Sequence, residues 1–398
     1  MRSINPIRES CEMMMKNKWQ YRKIGDVCVV ERGSSPRPID QFITEDGGGI
    51  NWIKIGDTTE SMYITETAQK IKPEGMKKSR YVEPGDFLLS NSMSFGRPYI
   101  LKIDGCIHDG WLVLKDKDEI FDKRFLYYYL SSKATYQKFK HMAVGGVVNN
   151  LNSEMVRKID VPVPSKDEQM DTADLLDKIC NIISLRKREL NCLDDLIRAR
   201  FIELFGDLKS NNKGWKIVNF KECADIDTNM IHEFEGYEEY PHIGIDSIEK
   251  ETGRLVGYRT IAEDGVISGK YLFSSAHIIY SKIRPNLNKV AMPDFDGLCS
   301  ADAYPILVKK GICNREYFGY TLRSQYFLDY ILALSNRTNL PKVNKSQVEG
   351  FLLPLPPIAV QDQFAAFVHQ VAKSKAAVQK ALDQTQQLFD SLMQEYFG

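Results

Sequence analysis

The stretch VPVPSKDEQMDTADLLDKICNIISLRKRELNCLDDLIRARFIELFGD, residues 161–207, decides the fold of this chain. Proline followed by acidic residues marks the end of an extended segment and the start of a helix. Apolar residues then recur every seven positions, at Leu176, Ile183, Leu190, Ile197 and Leu204. Ile179 and Leu193 lie between them, at the second apolar position of a heptad. A heptad sustained over about 40 residues predicts a helix on the order of 60 Å long that pairs along one apolar seam.

A second stretch of the same kind begins with LPLPPIAVQDQF at residues 353–364. Its seam positions are Phe364, Phe367, Val371, Val378, Ala381, Thr385, Leu388 and Leu392. Two such helices can pair with each other or with a partner chain. Pairing within the chain is the simpler interpretation.

The two helices belong to a longer repeat in the chain. One offset of 192 residues aligns seven identical pairs: Gly105 with Gly297, Leu130 with Leu322, Ser132 with Ser324, Asn152 with Asn344, Val156 with Val348, Phe205 with Phe397 and Gly206 with Gly398. Each half opens on a tryptophan, Trp19 or Trp215, and continues through short strand-like runs punctuated by Gly, Pro and Asp. An aromatic helix-like stretch follows, starting at Arg124 in one half and at Glu316 in the other.

The repeat predicts a division of the chain into six parts. These are a ragged N-terminus at 1–18, a first domain at 19–164, a central spacer helix at 165–206, a linker at 207–214, a second domain at 215–358 and a C-terminal spacer helix at 359–398. The predicted fold class is α+β: two repeated α/β domains separated by two long helices that form an antiparallel coiled coil.

Composition bounds the class of protein. Hydrophobic residues make up 43% of the chain, which is enough for globular cores. The sequence contains no run of about 20 apolar residues and no apolar signal core at its N-terminus, so we expect a cytoplasmic protein without a membrane partner. The eight cysteines form no CxxC pair and are expected to be reduced, mostly buried thiols. Lys plus Arg equals Asp plus Glu at 53 each, so a nucleic-acid partner can only be argued from local patches.

The sequence contains no recognisable catalytic machinery. A methyltransferase would need a glycine-rich cofactor loop and an Asn/Asp-Pro-Pro-aromatic motif, and neither is present. A GxxxxGK[ST] motif for ATP is also lacking, and the six histidines have no HxxxH or HExxH spacing for a metal. We therefore expect a non-catalytic chain with no cofactor and no metal of its own.

Sequence-specific reading of DNA needs Arg, Lys, Asn, Gln or Ser on loops that reach base edges or phosphates. The first domain offers Arg32, Ser34, Ser35, Arg37, Ser90, Asn91, Arg97, Asn149, Asn150 and Asn152. The second offers Lys282, Arg284, Asn286, Lys289, Arg337, Asn339, Lys342, Asn344 and Lys345. Ordinary surface-loop and turn chemistry is an open alternative for these segments. The repeat favours a shared role, because Asn152 and Asn344 occupy equivalent positions just before the helix.

The repeated order of tryptophan-led lobe, proline-rich segment, long helix and FGD-like ending resembles the specificity subunit of type I restriction-modification systems. The resemblance covers the chain from Trp19 to Gly398 and is carried best by VPVPSKDEQ…LDDLIRARFIELFGD and LPLPPIAVQDQF…LFDSLMQEYFG. The second copy departs from the family's pattern, because its proline-rich segment reads PLPPIAVQDQ and its final FG lacks a following acid.

The resemblance implies two target-recognition domains, each reading one half of a bipartite double-stranded DNA site. It also implies spacer helices that dock methyltransferase subunits, two in number, and an assembly that includes restriction/translocase subunits. S-adenosylmethionine, ATP and Mg²⁺ would then be bound by those partner subunits.

Two alternatives come from other classes. A coiled-coil protein-interaction scaffold that does not read DNA is compatible with the zero net charge. A standalone methyltransferase or nuclease is disfavoured, because the sequence has no motif for either reaction. Salt-dependent DNA binding would separate the DNA reader from the scaffold.

Overall fold

The computed structural model describes residues 19–91, 95–143, 150–335 and 341–398. Contacts within the chain divide it into two compact units. Unit 1 comprises the residues up to Leu185 together with Ala381–Gly398, and unit 2 comprises Arg186–Lys380. The predicted site residues Asn149, Arg337 and Asn339 lie outside the described ranges. The six-part division made from the sequence stays a prediction.

Unit 1 is built on short strands. Those in its described part are β1 Tyr21–Lys23, β2 Cys28–Arg32, β3 Ile43–Thr44, β4 Ile50–Ile53, β5 Tyr63–Ile64, β6 Lys70–Ile71, β7 Arg80–Val82, β8 Phe87–Ser90, β9 Pro98–Leu101, β10 Gly105–Ile107, β11 Trp111–Asp116 and β12 Asp160–Pro162. They form two five-stranded sheets, ordered β2-β11-β8-β9-β5 and β3-β6-β4-β10-β7, and the pair β1-β12.

The strands of unit 2 follow the same plan. They are β13 Lys216–Asn219, β14 Ala224–Ile226, β15 Met230–Ile231, β16 Pro241–Ile243, β17 Arg259–Thr260, β18 Lys270–Phe273, β19 His277–Ser281, β20 Val290–Ala291, β21 Gly297–Ser300, β22 Ala303–Val308 and β23 Leu352–Leu355. Their sheets are ordered β14-β22-β19-β20 and β15-β18-β21-β16-β17, with the pair β13-β23.

Helices connect and cover these sheets. In the described residues they are α1 Ile24–Val27, α2 Pro73–Met76, α3 Lys123–Ser131, α4 Lys133–Ala143, α5 Ser153–Arg157, α6 Lys166–Phe205, α7 Phe220–Cys223, α8 Ile261–Asp264, α9 Arg315–Arg323, α10 Gln325–Leu334, α11 Lys345–Glu349 and α12 Ile358–Phe397. The boundary between the two units falls inside α6 and α12, so each unit holds one stretch of each long helix.

The sequence repeat is also a repeat of strand pairing. In unit 1, β10 pairs parallel with β4 and antiparallel with β7. In unit 2, β21 pairs parallel with β16 and antiparallel with β18. Gly105 and Gly297 begin the two central strands, and a Cβ there would lie 2.6 Å from Asn51 O and 2.7 Å from Pro241 O. Close backbone approach therefore explains this pair of aligned glycines.

The two long helices pair within each unit, as the heptads predict. In unit 2, Asp194 lies 2.6 Å from Lys375 Nζ, and the rings of Phe201 and Phe364 are 5.4 Å apart. Moving forward along α6 therefore means moving backward along α12, which is an antiparallel arrangement. In unit 1, the seam residues of α6 share a core with Leu392 of α12.

Two expectations from the sequence are corrected. Leu388, predicted to face the seam, is 52% exposed, while Phe389 packs against the core of unit 1. A straight helix drifts relative to a seven-residue repeat, so the inward position moves by one residue. The aromatic stretch after Arg124 is also two helices instead of one, because α3 ends at Ser131 and the backbone of the next residue, Ser132, is extended.

The same break occurs in unit 2. Ser324 is extended and caps α10 by accepting a hydrogen bond from the backbone N–H of Phe327. Ser132 Oγ likewise accepts from the backbone N–H of Thr135, at 3.1 Å. The aligned serines of the repeat thus mark a helix–helix corner, since serine is a favoured residue where a helix starts.

Candidate nucleic-acid interface

Three loops at one end of the sheet β2-β11-β8-β9-β5 meet at Asp109, which lies between β10 and β11. The Asp109 carbonyl accepts hydrogen bonds from Arg32 Nε at 3.1 Å and from Asn91 Nδ2 at 2.8 Å. Its carboxylate accepts one from Ser35 Oγ at 3.0 Å and lies 3.5 Å from the guanidinium of Arg37. Asp109 thereby ties together the loops that follow β2, β8 and β10.

The charge of Asp109 is part of this arrangement. Burial raises the pKa of Asp109, but the hydrogen bond from Ser35 and the nearby positive charges outweigh it, so the pKa lies below its ordinary value. The ionised carboxylate holds the loop after β2 against the sheet. Arg37 remains 82% exposed, so its guanidinium can still reach a phosphate or a base edge.

Ser90 and Asn91 were predicted to contact DNA, but the structure engages their side chains inside the protein. They are 1% and 2% exposed. Ser90 Oγ accepts a hydrogen bond of 3.0 Å from the backbone N–H of Arg97, and the Asn91 amide donates to Asp109. Buried polar groups need such partners, so these two side chains shape the loop and do not face a ligand.

Arg97 is exposed and stands beside an aromatic cleft of about 580 Å³. The cleft is lined in part by Phe95, Tyr99, Tyr127 and Tyr136, and the rings of Phe95 and Tyr136 stack with centroids 5.8 Å apart. Aromatic faces next to an arginine form a surface on which nucleic-acid bases can stack. Arg97 was predicted from the sequence to contact DNA, whereas a role for the aromatic residues around it was not predicted.

The segments before α5 and α11 are equivalent, and what they share is helix capping. Asn152 Oδ1 accepts a hydrogen bond of 2.9 Å from the backbone N–H of Met155, and Asn344 Oδ1 accepts one of 2.9 Å from Gln347. Each asparagine is therefore used at the start of a short helix. Asn150 precedes the first cap and is exposed.

In unit 2, loops meet in a similar way beside the end of β19 and the start of β22. We call this meeting of loops the corner of each unit. Lys282 follows β19 as Asn91 follows β8, and its backbone carbonyl accepts from Val343 N at 3.0 Å. The Asn91 carbonyl accepts from Leu151 N at 2.9 Å in the same way. Asp302, just before β22, accepts a hydrogen bond of 3.3 Å from Lys342 Nζ. By strand register it is equivalent to Gly110, the neighbour of Asp109, because the Asn91 N–H donates to Gly110 O and the Lys282 N–H donates to Asp302 O.

The two lysines at this corner of unit 2 lie close enough to affect each other. The ammonium of Lys282 stands 5.0 Å above the ring of Tyr304. Burial lowers the pKa of Lys282, and the charge of Lys342 lowers it further. Such a concentration of positive charge favours an anion, because a bound phosphate would relieve the repulsion.

The other predicted residues of unit 2 divide into two groups. Arg284 and Asn286 are exposed, and the backbone of Arg284 is left-handed, with φ 50°. Lys289 is committed elsewhere: its Nζ donates to Ile245 O at 2.7 Å. Lys345 Nζ likewise donates to the carbonyl of Ile226, at 3.0 Å. Arg284 and Asn286 therefore remain available to DNA, while the two lysines hold neighbouring chain segments.

A basic run that was not among the predicted DNA contacts lies against the loop after β2. Ser34 Oγ donates to the carbonyl of Lys78 at 3.2 Å, and Arg80 Nε donates to the carbonyl of Arg32 at 3.3 Å. Lys77 and Lys78 are exposed. The signal was available, because KIKPEGMKKSR at residues 70–80 holds five basic residues and one acid.

Two other features, metal sites and membrane-spanning helices, are not found in the part of the chain that the structure describes. Among these residues, no group of three or more His, Cys, Asp or Glu side chains could hold a metal ion. Within the same ranges, no helix is long and apolar enough to span a membrane. Seven cysteines lie in the described ranges; all seven are free thiols, and five of them are buried.

The fold, together with the corner that occurs once in each unit, defines a class of protein. Its members have two copies of one loop-bearing domain and a pair of long antiparallel helices. The family described as "Type I restriction modification DNA specificity domain" matches residues 16–194 and 212–385. Because these matches cover most of the chain, the protein belongs to that family. The resemblance inferred from the sequence is confirmed.

Named relatives agree with this assignment. The chain is 29% identical over 311 residues to the type I restriction enzyme EcoDI specificity subunit of Escherichia coli, covering 69% of each sequence. It is 21% identical over 404 residues to the MjaIX specificity subunit of Methanocaldococcus jannaschii, covering 94% of this chain and 91% of that one. A crystal structure of the type I S subunit from M. genitalium has a TM-score of 0.58 at 14% identity, covering 96% of this chain and 97% of that one, and shows the same fold.

Proposed function

We propose that this chain is the DNA-binding specificity subunit of a type I restriction-modification complex, with each unit reading one half of a bipartite target. The observation that carries the proposal is the corner built twice on one framework, in which Asn91 bonds through its backbone to Gly110 and Leu151 in unit 1, and Lys282 bonds in the same way to Asp302 and Val343 in unit 2. A protein that reads two half-sites needs two equivalent reading surfaces, and a tandem repeat supplies them.

Each corner combines rigid positioning with exposed contact groups. In unit 1, the loop held by Asp109 presents Arg37, and the adjoining run presents Lys77 and Lys78. These cations suit the phosphate backbone, while exposed polar groups near them, such as Asn150, suit base edges. In unit 2, Lys342 and Arg284 take the corresponding role. Sequence preference would then come from the small set of side chains that differ between the corners.

The long helices are proposed to dock methyltransferase subunits. Apolar side chains on α6 remain exposed although its seam is covered: Met170 45%, Ile182 41%, Leu185 45%, Leu196 48% and Ile202 62%. Apolar groups left on a helix that already has a partner favour a further protein contact. Two such subunits, together with restriction/translocase subunits, would complete the assembly.

The chemistry of modification and restriction is proposed to lie outside this chain. The specificity subunit would place the methyltransferase on a target base and provide no reacting group. S-adenosylmethionine, ATP and Mg²⁺ would be bound by the partner subunits. Its own contribution is selection of the site, through the difference in binding free energy between the target and other DNA.

The test is to co-express the chain with its cognate methyltransferase subunit, purify the complex and sequence the methylated positions in exposed plasmid DNA. We expect one bipartite motif with a constant gap. Two variant complexes sharpen the result: a change in unit 1 should relax one half of the motif, and a change in unit 2 the other half. Copurification without any methylated motif, together with DNA binding that is weak and insensitive to salt, would favour the scaffold function.

A further inference from the structure

Unit 1 contains a cavity of about 540 Å³ whose wall carries four cationic side chains: Lys102, Lys123, Arg124 and Lys166. It lies where the end of β9 meets the first turns of α3 and α6. Its volume is within the range of cavities that bind small molecules. Asp122 also lies in the wall and pairs with Arg124, so the surplus charge of the lining is positive and attracts an anion.

Three of these four cations have no carboxylate partner among the residues that the structure describes. Arg124 is neutralised by Asp174 at 2.6 Å, Asp177 at 2.8 Å and Asp122 at 3.3 Å. Within the described residues, none of the three lysines forms an ion pair. Lys102 lies over an aromatic face, with its Nζ 4.5 Å from the centroid of Tyr63. The three ammonium groups therefore remain free to bind an anion.

In the cavity, the Lys123 ammonium lies next to the backbone of Gly85, which has no side chain. A Cβ at Gly85 would lie only 2.1 Å from Lys123 Nζ, so the lysine occupies the space that a side chain would take. Gly85 has φ 95°, which glycine adopts readily. The backbone of β8 thus begins beside the Lys123 ammonium without covering it.

Unit 2 shows that the fold does not require these charges. Lys102, Lys123, Arg124 and Lys166 correspond to Asp294, Arg315, Glu316 and Ile358 at the 192-residue offset. The four positions thus carry charges of +4 in unit 1 and −1 in unit 2 (one arginine minus two acids). The framework is otherwise the same, so the cationic wall is specific to unit 1.

In unit 2, the cation that remains is used internally. Arg315 donates from Nη2 to the carbonyls of His277 at 3.1 Å and Pro293 at 2.6 Å, and it is mostly buried. Lys123 has the same position in unit 1 but is exposed and makes no such bonds within the described part of the chain. Arg315 therefore bonds to neighbouring backbone in unit 2, whereas the equivalent Lys123 in unit 1 remains accessible to a ligand.

We propose that this cavity binds a phosphorylated small molecule of about nucleotide size. Its phosphates would lie among Lys102, Lys123 and Lys166. Phe121 and Met170 provide an apolar wall for the remainder of the ligand. The cavity opens beside the start of β8 and the end of β9, whereas the candidate interface lies at the opposite ends of these strands. The ligand is thus a free phosphorylated molecule and not the DNA that the loops would read.

The test uses the full-length chain and isothermal titration with sodium tripolyphosphate and with ATP, both at low ionic strength and without Mg²⁺. We expect one binding event per chain with either probe. Lys123→Gln and Lys166→Gln should each weaken binding by about tenfold, because each removes a charge-assisted contact. Lys140→Gln is the matched control, since Lys140 is an exposed lysine of unit 1 outside the cavity.

Three results would overturn the proposal. One is that neither probe binds the unaltered chain, and another is that Lys140→Gln weakens binding as much as the cavity variants do. The third is displacement of tripolyphosphate by unrelated duplex DNA, which would assign the lysines to the DNA surface. Thermal unfolding of each variant checks its fold, and we expect unchanged midpoints because the substituted lysines are exposed. DNA target preference should also be unchanged, so failure here leaves the proposed function standing.

Discussion

Gln169 and Gln361 occupy the same buried position in their respective units, 192 residues apart in the chain. Gln169 Oε1 accepts a hydrogen bond of 2.7 Å from the backbone N–H of Asp122, and Gln361 Oε1 accepts one of 2.7 Å from that of Asn314. Each amide nitrogen donates to two backbone carbonyls, those of Ile120 and Pro164 in unit 1 and those of Ile312 and Pro356 in unit 2. One side chain thus joins the start of a long helix to the start of an aromatic helix.

Replacing this glutamine should destabilise the unit that holds it. Gln169→Leu leaves the Asp122 N–H and the carbonyls of Ile120 and Pro164 unpaired in a site where the residue is 1% exposed. We expect a loss of about 2–4 kcal/mol in the free energy of unfolding. Urea denaturation followed by circular dichroism measures it, with Gln137→Leu on the exposed face of α4 as control. Equal stability of the two variants would contradict this role.

The seam between α6 and α12 in unit 2 should depend on its aromatic contacts. Phe205 is fully buried, and its ring packs 5.4 Å from Phe364 and 4.6 Å from Tyr317. Phe205→Ala should cost about 3–5 kcal/mol, because it leaves a cavity in a packed core. Ile202→Ala, one turn earlier on the same helix, should cost far less, since Ile202 is 62% exposed. Differential scanning calorimetry separates the two, and similar midpoints would show that this seam is not a packed core.

Arg37 should contribute to DNA binding through unit 1. Its guanidinium is mostly exposed and only loosely held, at 3.5 Å from Asp109. If it contacts a phosphate, Arg37→Ala should reduce the slope of log K against log salt by about 0.9. Fluorescence anisotropy of a labelled duplex at several salt concentrations measures that slope. Arg198→Ala is the control, because Arg198 lies on α6, outside the candidate loops, and is paired with Asp195. An unchanged slope in the Arg37 variant would remove this residue from the interface.

Arg284 and Lys345 should behave differently, although both were predicted to contact DNA. Arg284 is exposed, so Arg284→Ala should weaken reading of one half-site about tenfold without loss of stability. Lys345 donates to the carbonyl of Ile226, so Lys345→Ala should also lower the unfolding midpoint of unit 2. Binding and thermal unfolding, measured on both variants, distinguish the two effects. Unaltered DNA affinity in both variants would exclude this loop from the reading surface.

Stability should depend on pH through Asp264 in unit 2. The hydrogen bond with His242 at 2.7 Å is the main cause of its lowered pKa, with the charge of Arg259 adding to it. A carboxylate whose pKa is lower in the folded chain stabilises the fold above the ordinary carboxyl pKa, and this contribution disappears as the pH falls through the folded value. Asp264→Asn should therefore be less stable than the unaltered chain at pH 7, and the difference should shrink below about pH 4. Urea titrations between pH 7 and pH 3 measure it, with Asp294→Asn as control. A difference that stays constant with pH would disprove the linkage.

Much of the architecture could be predicted because it rests on regular spacing. Apolar residues at seven-residue intervals predicted the pairing of α6 with α12, and the aligned pairs predicted two copies of one fold. The prediction was wrong at Leu388, which is exposed. Seven residues of a straight helix make slightly less than the two full turns that a heptad repeat assumes, so the inward-facing position shifts along the helix. The equivalence of Gln169 and Gln361 was not predicted, because the letters before the two glutamines, KDE and IAV, differ.

The candidate site was less predictable than the fold. Residue type predicted that the loops after β2 and β8 contact DNA, and this stays a prediction; Ser90 and Asn91 are buried, and Asn152 and Asn344 are helix caps. Lys77 and Lys78 were overlooked although they lie beside Ser34.

The sequence by itself determined the repeat, the antiparallel helix pair and the family, because these depend on patterns that recur along the chain. Only the tertiary structure decided which polar side chains face outward and which hold the fold together. The reason is that such a choice depends on distant partners: Arg32 binds the carbonyl of a residue 77 positions away, and Lys345 one 119 positions away. Local sequence carries no record of these contacts, which form only when the sheets bring the loops together.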